Sequence, residues 1–380
     1  MRNLDNKKFI CTGCFLCSNI CPTDAIKMIQ DQEGFYQYQI IEEKCISCEK
    51  CVKSCPKIQN IDKEKDILNA YAAYTKDDEV LKQSSSGGIF SELAKEIFNQ
   101  KGVVVGATWQ KGEVKHILIS KEKDLEKLQS SKYLQSNLNQ IFNETKKALD
   151  KNKIVLFSGT SCQIAALNNF IKHDNLYTVD IVCHGVPSQK VFNLSQKQRL
   201  GKENVEVNFR SKANGWADFE LEYKNEHSIF HKKDAWFSQY LDNHFLKKDC
   251  YDCPFISKER LADISLGDYW GIANVDAKFF KDNNNKGVSL VLINSRKGQK
   301  LFDNISDNLV YKETKAEEAN KYNQRILSGK YDDEYLIKRA NFFKKYHNNE
   351  IIFDDSKVII KKTSIIRRVL GKIKRTIVRR

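Results

Sequence analysis

Eight cysteines and two prolines near the amino end form a repeat that few folds can satisfy. Cys11, Cys14, Cys17, Cys21 and Pro22 recur 34 residues later as Cys45, Cys48, Cys51, Cys55 and Pro56. A period near 34 is also that of helical solenoids, but two copies with matching cysteines and no helical consensus point elsewhere. The stretch Met1 to Phe9 is polar and charged and has no apolar h-region, so no secretory signal is expected and the cytoplasm is the expected compartment. Twelve cysteines in such a chain indicate metal or redox chemistry rather than structural disulfides.

The two runs C-T-G-C-F-L-C-S-N-I-C-P and C-I-S-C-E-K-C-V-K-S-C-P resemble the bacterial ferredoxin spacing C-x2-C-x2-C-x3-C-P. A cubane cluster needs four thiolates. Three close cysteines wrap one cluster, and the proline loop turns the fourth away. The resemblance implies that each fourth cysteine serves the other cluster. Cys11, Cys14, Cys17 and Cys55 then hold one [4Fe–4S] cluster, and Cys45, Cys48, Cys51 and Cys21 hold the second. The other reading is a pair of zinc sites, although zinc is usually held by paired C-x2-C knuckles.

With 380 residues, 41% of them hydrophobic, the chain can bury a sizeable core or two to three domains. No apolar run reaches the roughly 18 residues a membrane-crossing helix needs. The net charge of +14 is concentrated at the carboxyl end, where Lys361 to Arg380 hold nine Lys or Arg and no acid. Removing them leaves 14 − 9 = +5, so the body is only mildly basic. Of the four prolines, Pro22, Pro56 and Pro254 directly follow a cysteine and Pro187 lies four residues after Cys183. Rigid backbone is therefore concentrated at the cysteine loops.

Asn60 to Asp66 is charged and reads as a linker. From Asn69 the pattern becomes α/β. Strand-like runs are Ala70–Tyr74, Val103–Thr108, Ile154–Phe157, Tyr177–Val182, Val205–Phe209 and Val288–Ile293. Helical periodicity fits Ile89–Asn99, Cys162–Lys172 and Trp236–Leu246, and Lys315 to Asn348 also looks helical. The alternation implies a mixed sheet with helices on its faces.

Four cysteines remain. Cys250 and Cys253 form C-Y-D-C-P, Cys162 follows a strand in G-T-S-C-Q, and Cys183 ends the next strand in C-H-G-V-P. Sites in α/β sheets gather at strand ends. The four are the right number for a third cluster; buried thiols with one small knuckle are the plainer reading. His184 is a candidate ligand or proton donor, against the commoner structural role of a lone histidine.

Ordered blocks along the chain carry a broader resemblance. They are S-S-S-G-G-I-F-S-E-L (Ser84 to Leu93), S-K-Y-L-Q-S (Ser131 to Ser136), F-S-G-T-S-C-Q-I-A-A-L (Phe157 to Leu167) and D-I-V-C-H-G-V-P-S (Asp180 to Ser188). F-R-S-K-A-N-G-W (Phe209 to Trp216), C-Y-D-C-P-F (Cys250 to Phe255) and A-D-I-S-L-G-D-Y-W-G-I (Ala262 to Ile272) follow. From about Cys11 to near residue 345 the chain resembles the coenzyme F420 hydrogenase/dehydrogenase beta-subunit family, in the form with an N-terminal dicluster ferredoxin. One departure is Ser161, where that family usually has proline, a change expected to affect loop rigidity more than ligation.

The resemblance implies an oxidoreductase of that type with a bound flavin, usually FAD, beside its clusters. The expected fold is α+β to α/β. Residues 1–62 form a dicluster ferredoxin fold, 66–150 and 151–350 form the two parts of a mixed-sheet α/β flavin-binding domain ending in a helical region, and 356–380 form a basic tail. Ser85, Ser86, Gly87 and Gly88 precede an amphipathic helix and are candidates to hold the FAD pyrophosphate, against a glycine-containing cap with no ligand. Lys132 and Tyr133 are candidates to lie against flavin or substrate, and Lys132 is with His184 a catalytic candidate; a lysine in a charged stretch is ordinarily just solvated. Arg210, Lys212 and Trp216 are a candidate pocket edge. Gly267, Asp268, Trp270 and Gly271 read as a tight turn near the sheet.

The expected function is electron passage between [4Fe–4S] clusters and FAD, to reduce or oxidise an F420-type deazaflavin or a sugar- or lipid-linked intermediate of surface polysaccharide synthesis. The alternative is a non-catalytic subunit delivering electrons to a partner enzyme. A ferredoxin or a reductase is the expected electron donor. In the tail, Ile366, Val369, Leu370, Ile373 and Ile377 fall at helical spacing opposite Arg367, Arg368, Lys372, Lys374 and Arg375. That pattern suits an anionic membrane surface. A solvated tail and a protein-docking helix are the alternatives, and no nucleic acid is expected because no recognition motif accompanies the charge.

Overall fold

The structure is a computed structural model and describes residues 3–59 and 66–358. The cysteine repeat is also a structural repeat. Phe15 (φ 63°) and Glu49 (φ 61°) are both left-handed, and each opens a five-residue helix, Leu16–Ile20 or Lys50–Ser54. Each helix stops at the cysteine before proline, because proline disfavours helical backbone in the residue preceding it. Cys21 and Cys55 are accordingly extended. A hairpin of β1 (Ile26–Gln30) and β2 (Tyr36–Ile40) completes this N-terminal module.

Eleven further strands follow. They are β3 (Asn69–Thr75), β4 (Val103–Gln110), β5 (Glu113–Ile119), β6 (Val155–Thr160), β7 (Leu176–Ile181), β8 (Val207–Ser211), β9 (Glu220–Tyr223), β10 (Ser228–Phe230), β11 (Ile264–Asp268), β12 (Ser289–Ile293) and β13 (Leu309–Thr314). Eight of them make one mixed sheet in the order β13-β3-β12-β11-β7-β6-β4-β5. Its centre, β11-β7-β6-β4, is parallel. Strands β8, β9 and β10 form a separate antiparallel sheet.

Alternation along the central strands divides the core in two. Val104 and Leu156 face helices Ile89–Asn99 and Arg296–Ile305. Val103, Val105, Val155 and Phe157 face helices Ile141–Leu149 and Ser161–Phe170. Phe15 and Leu16 of the cysteine module pack into this second layer, so the module is seated on the sheet's helical face. Polar links fasten it further: Asn19 Nδ2 donates to the Asn139 carbonyl at 2.7 Å, and Lys57 Nζ meets Asp249 Oδ1 at 2.6 Å.

The expected helix Ile89–Asn99 is found with those bounds. The one expected at Trp236–Leu246 is Ala235–Leu241, ended before the left-handed Asn243. Lys315 to Asn348 is not continuously helical. Helices Ala316–Asn320 and Glu334–His347 flank an irregular stretch in which Gly329 packs backbone to backbone on Cys253, whose amide donates to the Gly329 carbonyl at 2.9 Å. Gly267 and Asp268 are not in a turn but end β11 in the middle of the sheet; the bend comes after them, at Gly271 (φ +85°). The basic tail at 361–380 lies outside the described residues, as does most of the linker.

Candidate functional site

The twelve cysteines fall into three groups, each in the electrostatic field of its own members. Burial pushes the Cys14 thiol up to about 12, with Cys11 and Cys55 adding repulsion. Burial likewise holds the Cys17 thiol well above its ordinary range, with Cys14, Cys11, Cys55 and Cys51 acting in the same sense. Cys51 is raised by burial and then by Cys21 and Cys48, and all three line one small cavity with Cys45. The effect of Cys51 on Cys17 shows that these two groups are neighbours.

The third group is Cys162, Cys183, Cys250 and Cys253. Burial raises every one of them, Cys250 to about 12 and Cys253 to about 11, and Cys162 also responds to the other three. They converge because β6 ends before Cys162, β7 ends before Cys183, and a 3-10 turn at Lys248–Tyr251 delivers Cys250. Among the described residues, no three His, Cys, Asp or Glu side chains close tightly enough for a single metal ion. The third group instead lines a wider space. Crowded, buried thiols keep their protons until a cationic centre replaces them, which is what iron does on binding.

The third group lines a cavity of about 280 Å³. That is near the lower end for small-molecule sites. Its wall includes the carboxyl ends of β6, β7 and β11, the edge at which ligands bind in open α/β sheets. It also includes Ser85, Ser86, Gly88, Lys132 and Tyr133. Thr12 and Gly13, from the first cysteine loop, close another side. Gln135 fixes that closure by donating to the Thr12 carbonyl at 3.0 Å.

Gly87 is not in the wall. A Cβ there would lie 2.3 Å from the Ala73 carbonyl, so its glycine is required by packing on β3. Its amide donates to Ser289 Oγ at 2.9 Å and is not free for a phosphate. Gly88 (φ +82°) turns the chain into helix Ile89–Asn99. The loop's carbonyls are also engaged: Arg210 donates to Ser85 and Lys212 donates to Ser86 at 2.6 Å. Arg210, Lys212 and Trp216 therefore stand behind the wall rather than at the pocket edge. Arg210 grips Asp268 at 2.6 and 3.1 Å and reaches the Tyr133 hydroxyl at 3.2 Å, while Trp216 Nε1 donates to Asp268 at 2.8 Å.

Lys132 is not simply solvated. Its ammonium donates to the Gln129 carbonyl at 2.6 Å, and burial lowers its pKa to about 7. His184 is not among the residues lining the cavity. Its ring nitrogens meet the Tyr240 carbonyl at 3.3 Å and the Tyr331 hydroxyl at 3.2 Å, and burial depresses it to about 4. It is a packing residue, not a proton donor to this cavity.

Two wall residues went unnoticed in the sequence. His116 on β5 has one ring nitrogen on the Ser158 carbonyl at 2.9 Å and a buried Nδ1 with no protein partner. Arg325 sits against the third cysteine group, brought there by the irregular 321–333 stretch. A lone histidine or arginine carries no spacing signal, so only the fold reveals either.

The fold and these thiol groups define an iron–sulfur electron-transfer protein built on a mixed α/β sheet. Family comparison agrees in three blocks: a 4Fe-4S dicluster domain over residues 10–58, the coenzyme F420 hydrogenase/dehydrogenase beta subunit N-term over 70–143, and the C terminus of the same beta subunit over 152–319. The chain belongs to the coenzyme F420 hydrogenase/dehydrogenase beta-subunit family. No curated protein matches it. Among solved structures it is similar to a chain of the F420-reducing [NiFe] hydrogenase complex from Methanosarcina barkeri. The identity is 16% and the TM-score 0.49, over 76% of this chain and 94% of that one. Among the described residues no helix is long and apolar enough to cross a membrane.

Proposed function

We propose that the chain is an iron–sulfur flavoprotein oxidoreductase acting on an organic two-electron substrate. The observation that carries this reading is the shared cavity: the third cysteine group, the Ser85–Gly88 turn, Lys132, Tyr133 and the first cysteine loop all meet around one space. [4Fe–4S] groups supply single-electron exchange and a flavin supplies two-electron exchange, so together they couple a one-electron donor such as ferredoxin or a reductase to hydride chemistry.

The residues fit these groups. Cys11, Cys14, Cys17 and Cys55 would hold one cluster, Cys45, Cys48, Cys51 and Cys21 a second, and Cys162, Cys183, Cys250 and Cys253 a third. The cavity would hold the flavin ring, and the orphaned His116 Nδ1 offers an acceptor for an N–H or O–H of its occupant. Lys132, with its pKa near neutrality, is placed to supply or withhold positive charge there. Ser85 is held by the Ser131 amide at 2.7 Å, which ties the serine turn to the Lys132 segment. The substrate class proposed is an F420-type deazaflavin, with carrier-linked sugars as the competing class.

The test is anaerobic purification with iron, sulfide and flavin counted per chain. About twelve irons and one flavin are expected; about eight would remove the third cluster. Clusters without flavin would favour the second reading, a non-catalytic subunit serving a partner enzyme. The family's description of its members as beta subunits supports that reading. Reoxidation of the reduced protein by deazaflavin, or by the sugar substrate, separates the two.

A further inference from the structure

Among the described residues, the buried guanidiniums are, with one exception, neutralised. Arg199 pairs with Asp234 and Asp355, Arg210 with Asp268, Arg260 with Asp180, and Arg339 with Glu33. Arg325 is only 4% exposed, and among the described residues no carboxylate is in ion-pair contact with it. Its Nε donates to the Cys183 carbonyl at 3.1 Å, its Nη1 donates to the Gly329 carbonyl, and the group lies 4.6 Å from the centre of the Tyr331 ring. Carbonyls and a ring face orient a cation but do not cancel its charge. Burying an unpaired charge is costly, so a buried cation without a carboxylate implies negative charge from another source.

The nearest source is the cysteine group on the same wall. Cys162, Cys183, Cys250 and Cys253 line the cavity together with Arg325. The field of Arg325 is the foremost influence opposing burial at both Cys183 and Cys253, and it acts at Cys250 as well. Arg260 also reaches Cys183, but its charge is shared with Asp180. At the first cysteine group, the cation felt is Lys57 at Cys55, and Lys57 is paired with Asp249.

We infer that Arg325 is the counter-cation of a third iron–sulfur cage held by Cys162, Cys183, Cys250 and Cys253, and that its fixed charge raises the reduction potential of that cage. The inference rests on the third-cluster reading. Reduction there takes one electron from a one-electron donor; no bond breaks and no proton moves. The added charge is negative, so a nearby fixed cation favours the reduced form.

The experiment compares the anaerobic full-length protein with its Arg325→Gln and Arg325→Lys variants. Iron is counted, and the clusters are titrated with dithionite under paramagnetic resonance detection, the two N-terminal clusters serving as internal reference. Arg325→Gln is expected to move the third potential negative while the reference pair stays in place. Arg325→Lys is expected to stay near the parent. Should Arg325→Gln lose the third cluster's iron while Arg325→Lys keeps it, the counter-charge is again supported. An unmoved potential in Arg325→Gln overturns the inference. So does an equal shift, or an equal loss of iron, in both variants, because the guanidinium's fork and not its charge would then be what matters. A parent protein with only the N-terminal iron refutes the third cluster itself and is read directly from the iron count.

Discussion

Cys250 shows what a single residue contributes to this site. It sits in a 3-10 turn against the cavity lined by the third cysteine group, with its thiol pushed up by burial and by Cys183 and Cys253. Cys250→Ser is expected to lower the iron content by about four per chain, read by metal analysis of anaerobic protein. His116 makes a different prediction. Burial lowers it to about 4 from an ordinary value of 6.5, so between those values the unfolded chain binds the extra proton. Its share of stability is complete above about pH 6.5 and is lost as pH falls toward 4. By about pH 5 the loss is roughly 2 kcal/mol. His116→Gln should flatten that part of the pH dependence, as measured by urea unfolding near pH 7 and near pH 5. Ser161, where the resemblance leads one to expect proline, has a place of its own. It is the first residue of helix Ser161–Phe170, where proline is well tolerated, and its hydroxyl donates to Asp180 Oδ2 at 2.5 Å.

At the scale of elements, legibility followed local pattern. Strands β4 and β6 were visible through the runs Val103–Thr108 and Ile154–Phe157, because mostly apolar runs are what a strand buried on both faces requires. Strand β11 was not, although it lies in the centre of the sheet. Its run is interrupted by Ser265 and Gly267. Ser265 is buried only because the Asn294 side chain, on the loop after β12, donates to it at 2.9 Å. Helix Gln189–Leu200 was hidden for a similar reason: it buries Gln196, whose amide exchanges two hydrogen bonds with the Val205 backbone. Partners outside their own element make such polar residues suitable for a core, and periodicity cannot register them. The serine turn was legible as a helix entry, but the duties of its glycines were not. Gly87→Ala would force a Cβ onto the Ala73 carbonyl and is expected to cost about 1–3 kcal/mol, read as a lower urea midpoint with an unchanged slope.

For the whole molecule, the two amino-terminal cysteine runs were the most legible feature, because their spacing is local. The common cavity was not legible: its walls come from β4, β6, β7, β11 and loops more than a hundred residues apart. The basic tail remains a matter of sequence, and we propose that it binds anionic membrane surfaces. Each basic residue near such a surface contributes about 1 kcal/mol. Removing residues 361–380 should abolish co-sedimentation with phosphatidylserine vesicles while leaving binding to neutral vesicles unchanged.

Because Thr12 and Gly13 help wall the cavity and Gln135 pins them there, the amino-terminal module is more than a delivery arm. Trimming the chain to its larger part would not leave the same cavity behind. It would breach the cavity on that side and admit solvent to the space that the two parts of the chain now wall together.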